Sequence, residues 1–197
     1  MMKLAGVLLS LSFLLSCATT TVNNKGLSVL TEEGYNEKVD KWTDRIEDYS
    51  GLNNTVTIAA TLLNSEMVEA QLDQNARLFQ WDQTRLDQER KDAEDRKNKQ
   101  TDVFVSFYSP ERKWDDLSKS KTLWRVFLDS NGQRYEGKAL KIKLLTREIQ
   151  GLYPYHTPFA TPYLITFPVP TRNVDGHPIR LIFTGSIGSV NLNFGNK

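Results

Sequence analysis

Few side chains in this chain of 197 residues are suited to covalent or metal chemistry. Its two histidines, His156 and His177, sit in loop-like sequence, Tyr153-Pro154-Tyr155-His156-Thr157-Pro158-Phe159 and Asp175-Gly176-His177-Pro178. Converging with Asp175 or another acid, they would make a metal-dependent or hydrolytic centre, because imidazole and carboxylate are the ligands such a site uses. The spacing neither demands nor forbids this. Gly185-Ser186-Ile187-Gly188-Ser189 departs from the Gly-x-Ser-x-Gly nucleophile pattern and reads as a hairpin turn. Asp129-Ser130-Asn131-Gly132 starts like a calcium loop, but its glycine comes two positions early. There is no glycine-rich phosphate loop, and no pair of acids stands out for glycoside chemistry. No catalytic residue, metal ligand or cofactor is assigned, and an enzyme alternative rests on His156 and His177.

Binding chemistry is better represented. Between Gly151 and Tyr163 the chain places Tyr153, Tyr155, Phe159 and Tyr163 among three prolines. Rigid aromatic groups at low ordering cost are the composition of recognition loops, so these four residues are the expected partner-binding surface. The competing expectation is that they cover the open end of a β domain. Lys138, Lys141, Lys143 and Arg147 form a second strip, suited to phosphate-bearing lipid heads or simply to solvent.

The chain contains one cysteine. It ends the run Leu14-Leu15-Ser16-Cys17, after a basic start at Met1-Met2-Lys3 and an apolar stretch from Leu4 to Leu15. This segment resembles the export signal of bacterial lipoproteins. The resemblance covers about the first twenty residues and is specific for processing, not for activity. It implies a signal peptide over residues 1–16, cleavage before Cys17 and acylation of its thiol, which would anchor the mature protein in a membrane. Ala18, where an aspartate is absent, implies the outer membrane by the same resemblance, with envelope proteins as partners. The apolar run is shorter than the ~20 residues of a spanning helix. With Cys17 acylated, no thiol would remain for a disulfide, a nucleophile or a thiolate metal site.

Removing Lys3 with the signal leaves 24 basic and 24 acidic side chains, so no general attraction to nucleic acid is expected. Residues 18–100 carry a net −5 and residues 101–197 a net +5, which would favour docking of one half on the other or present two unlike faces.

Residues 18–26 are small and polar, so 17–30 are expected to be a lipidated tether, with a single α+β domain over 31–197. Tyr35, Val39, Trp42, Ile46 and Tyr49 recur at helical spacing and predict a helix over 35–50, stopped at Gly51. Thr55 to Leu62 alternates in twos and predicts a strand. Residues 65–98 predict one long helix, inserted after that first strand. From Asp87 to Lys99 it carries five acids and five bases, with pairs at Asp87 and Lys91, Asp92 and Arg96, and Asp95 and Lys99, so its end should stand off the core as an arm. From 102 onward the texture is β: 102–109, 123–129, 134–145, 163–169, 179–185 and 188–194. Asn131-Gly132 marks a hairpin. The fold class expected is mainly β with α, an antiparallel two-sheet β-sandwich of immunoglobulin-like general form, with an N-terminal helix and the long inserted helix.

Overall fold

A computed structural model describes residues 19–195. The chain is mainly β, in antiparallel sheets, with helices gathered on one side. It opens with β1 (Thr20–Val22) and β2 (Ser28–Leu30), paired in register from Thr20 opposite Leu30 to Val22 opposite Ser28. The expected tether is therefore structured from Thr20 onward. Asn23 holds it: its Nδ2 donates to the carbonyls of Ala76 and Trp81, and its Oδ1 accepts from the amides of Lys25 and Leu27. The two bonds to Ala76 and Trp81 join residues more than fifty positions apart and leave no periodic trace in the sequence.

Helix α1 (Glu32–Lys41) starts at Thr31, whose hydroxyl accepts the Gly34 amide. The expected helix over 35–50 ends here, and its second half is the strand β3 (Thr43–Ser50). Gly51, at φ +65°, turns β3 into β4 (Asn53–Leu63) instead of closing a helix. Trp42 and Ile46 face the core in either conformation, so their spacing did not distinguish the two, and pairing with β4 decided.

The expected long helix is two: α2 (Ser65–Leu78), capped by Asn64, and α3 (Gln83–Lys97), capped by Asp82. Between them Gln80 takes a left-handed φ of 52°. The charged segment folds back along α2 and does not protrude: Leu86 packs with Leu72, Ala76 and Val29, and Arg90 reaches Glu69 at 3.2 Å. The ion pairs that form on α3 are Arg85 with Glu89, Arg90 with Asp87 and Lys97 with Glu94, not the three expected pairs.

The remaining strands are β5 (Thr101–Tyr108), β6 (Trp124–Ser130), β7 (Gln133–Glu136), β8 (Lys138–Lys141), β9 (Thr161–Phe167), β10 (Ile179–Gly185) and β11 (Gly188–Phe194), with a short helix α4 (Thr146–Gln150) before β9. They form a five-stranded sheet, β3-β4-β5-β9-β8, and a four-stranded sheet, β11-β10-β6-β7. One apolar cluster joins them, with Val56, Val105, Phe107 and Ile165 from the first and Trp124, Leu128, Phe183 and Leu192 from the second. The expected strand 134–145 is broken at Gly137, where the chain leaves one sheet for the other; a Cβ there would lie 2.5 Å from the Phe167 ring. Asn131 and Gly132 make the expected turn, both at positive φ.

The outer face of the five-stranded sheet carries a second cluster. Phe104 of β5 is covered by Tyr35 and Val39 of α1, Met67 and Ala70 of α2, Ile149 of α4 and Tyr153. Among the described residues no helix is long and apolar enough to cross a membrane.

Candidate functional site

Helices cover only part of that outer face. Its strands present three cross-strand rows: Thr43, Thr61 and Phe104; then Arg45, Ala59 and Ser106; then Glu47, Thr57 and Tyr108. The first row lies under the aromatic loop. Thr43 and Thr61 share a hydrogen bond of 2.6 Å, and Thr61 shares one of 2.5 Å with the Tyr155 hydroxyl. The other two rows have small residues at their centre and stay open. They floor a groove of about 500 Å³, walled by Tyr155, Thr157, Phe159 and Ala160.

The groove has unlike ends. Arg45 places its guanidinium 5.0 Å from the centre of the Tyr155 ring, a cation–π contact, and 3.8 Å from the Asp40 carboxylate. Glu47 accepts the Tyr49 hydroxyl at 2.8 Å. Hydroxyls of Thr57, Ser106, Tyr108 and Thr157 lie among the lining side chains, and Phe159, 81% exposed, forms the apolar rim. Such a surface suits an extended, partly apolar group that also offers hydrogen bonds.

The four aromatics expected to bind together are therefore divided. Tyr153 is buried, stacked on Phe104 with ring centres 3.5 Å apart and its hydroxyl bonded to Gln71. Tyr163 points into the core between the sheets and donates to Asp115 at 2.8 Å. Burial raises the pKa of both phenols well above their usual value, so both remain protonated. Only Tyr155 and Phe159 reach the groove. Arg45, Ala59 and Ser106 were not singled out from sequence. Alternation along β4 and β5 marks Ala59 and Ser106 as facing away from the core, whereas Arg45 falls in the stretch expected to be helix, and only the pairing of three strands sets the three in one row.

The histidines also part company. His156 is buried, and its Nδ1 shares a 2.8 Å hydrogen bond with Ser106 Oγ, while Gln150 donates to its backbone carbonyl. Burial lowers its pKa below the usual value and favours the neutral ring. His177 lines a separate cleft with Trp42, Asn64 and Asp175. Among the described residues no group of three or more His, Cys, Asp or Glu side chains is placed to hold a metal ion. Cys17 lies outside the described residues.

Fold and groove define a mainly β protein with antiparallel sheets and an open groove on the outer face of the five-stranded one. No family model, no curated protein and no solved structure matches this chain.

Proposed function

We propose that this protein is a lipid-anchored module of the cell envelope that works without catalysis, binding a partner protein through the groove beside Tyr155 and Phe159. The sequence support is the Leu-x-Ser-Cys box, which would give a diacylglyceryl anchor on Cys17, with Ala18 pointing to the outer membrane. The body is taken as a β-sandwich of immunoglobulin-like general form, a reading supported by two antiparallel sheets packed on one core. The observation that carries the binding role is Phe159, a large aromatic group left 81% exposed on the rim of a groove whose floor is held rigid by three paired strands. Exposed aromatic anchors beside a preformed depression are what interfaces concentrate their affinity on.

The test has two arms. Growth with a labelled fatty acid should label the wild-type chain and leave Cys17→Ser unlabelled; absence of label on the wild type removes the anchor. A photo-crosslinking residue in place of Phe159 should give a discrete adduct in whole envelopes that Arg45→Ala weakens. No adduct, or one unaffected by Arg45→Ala, removes the groove.

A hydrolytic reading is favoured by one observation, the contact between Ser106 in the groove and His156. A fluorophosphonate probe that labels wild type and not Ser106→Ala would establish it in place of the first reading.

A further inference from the structure

Leu140, Leu144 and Leu145 are 68, 57 and 73% exposed, three large apolar side chains within six residues. The same stretch, from the edge strand β8 to the start of α4, carries Lys138, Lys141, Lys143 and Arg147. Among the described residues none of these four cations forms an ion pair. The neighbouring acids are engaged elsewhere: Glu136 is held by Arg125, and Glu148 accepts the Leu145 amide at 2.8 Å. Lysine on an edge strand discourages strand-to-strand association, but exposed leucine does the opposite, so edge protection does not account for the leucines.

The point where the chain enters the fold says what lies opposite. Thr20 pairs with Leu30, and the Thr19 carbonyl accepts the Thr31 amide. Leu30 packs on the same apolar cluster as Ile142, inside the basic, leucine-bearing stretch, and as Ile149 and Leu152, just beyond it. Two residue steps separate Thr19 from Cys17, a reach of at most about 7 Å. A tether so short leaves the body little freedom to lift away from the surface that holds the anchor.

We infer that residues 138–147 are a second, non-covalent contact with an anionic bilayer, the leucines entering the interface and the cations meeting lipid phosphates. Exposed leucine interleaved with unpaired lysine and arginine fits no other surface as well, since apolar burial and attraction to anionic lipid act together there. The closeness imposed by the tether rests on the proposed anchor at Cys17; the contact itself does not.

The test uses the chain from Ala18 onward, which keeps all three apolar clusters and has neither leader nor anchor. Sedimentation with phosphatidylglycerol-containing vesicles should show binding that falls at least tenfold on pure phosphatidylcholine. It should also fall in about 0.5 M NaCl, where screening shortens to a few ångströms. Lys143→Ala with Arg147→Ala should weaken binding by roughly 25-fold, about fivefold per cation. Leu144→Ser with Leu145→Ser should weaken it on anionic vesicles without changing the salt dependence. Lys119→Ala with Lys121→Ala, exposed residues outside the stretch, should leave it unchanged. Equal binding to neutral vesicles, insensitivity to both stretch variants, or an equal loss in the control would overturn the inference. So would a change in sedimentation coefficient without vesicles, which would make this face a contact between two copies of the chain. Failure of Cys17 acylation would appear in the fatty-acid labelling and leave these measurements unaffected.

Discussion

The indole Nε1 of Trp42 donates to Glu66 at 2.8 Å, and this bond joins the residue at which α1 gives way to β3 to the first turn of α2. Lys38 and Lys41, from the last turn of α1, reach the same carboxylate at 2.7 and 2.6 Å. One side chain thus accepts three donors at the junction of two helices and the edge strand that floors the groove.

Replacing Glu66 with Gln should therefore destabilise the fold by about 1–2 kcal/mol, a modest figure because water partly screens the site. Burial would raise the Glu66 pKa, but the bonds from Lys38, Lys41 and Trp42 outweigh it and hold it at about 2, against an ordinary 4.5. With the folded value depressed, this contribution is fully present above pH 4.5 and is lost as pH falls from 4.5 towards 2. Urea unfolding across that range should show wild type and Glu66→Gln converging at the acid end. A constant gap would contradict the assignment.

Asn23→Ala should remove two hydrogen bonds that pin the N-terminal hairpin to the end of α2 and the residues just after it, and two more inside the hairpin's own turn. The expected loss is about 2 kcal/mol, since each bond nets roughly 0.5–1.5 kcal/mol and some exchange for water. Amides of residues 20–30 should exchange with solvent faster while those of β5 and β10 stay protected. Uniform loss of protection would show that the hairpin is not a separable unit.

Tyr153 and Phe159 lie six residues apart and should respond oppositely to alanine. Tyr153→Ala removes a stacked, buried ring and should cost about 3–5 kcal/mol of stability. Phe159→Ala should leave stability within about 0.5 kcal/mol and weaken partner binding. Thermal melts of the pair separate packing from recognition; a large loss from Phe159→Ala would place it in the core of the loop.

His156 should titrate below its ordinary value of 6.5, because burial disfavours the charged ring. The folded value is depressed, so its contribution is intact above pH 6.5 and declines as pH falls below it. Ring resonances followed by NMR should show His156 with the lower midpoint and a shift on Ser106→Ala, which breaks the Nδ1 contact. A midpoint at or above 6.5 would mean the loop is open to water.

Much of the β architecture was legible because alternation is a local property. Val190, Leu192 and Phe194 point inward as their spacing requires, and Asn131-Gly132 turns because both residues readily take the positive φ whose twist matches the flanking strands. The helical half was read less well. Asp82, the cap of α3, was the available signal for dividing the long helix, but the apolar positions on both sides kept a helical period across the break. At Trp42 and Ile46 periods of 3.6 and 2 coincide, and charged neighbours disguised an edge strand that has only one partner.

The sequence by itself determined which stretches alternate and where the tightest hairpin closes, since each depends on residues adjacent in the chain. Only the tertiary structure decided that α3 folds back, that residues 20–30 pair and dock, that Tyr153 and Tyr163 are buried, and that Arg45, Ala59 and Ser106 lie in one row beneath Tyr155. Those outcomes depend on contacts between residues distant in sequence, whose free energy arises when surfaces meet and is written in no single segment.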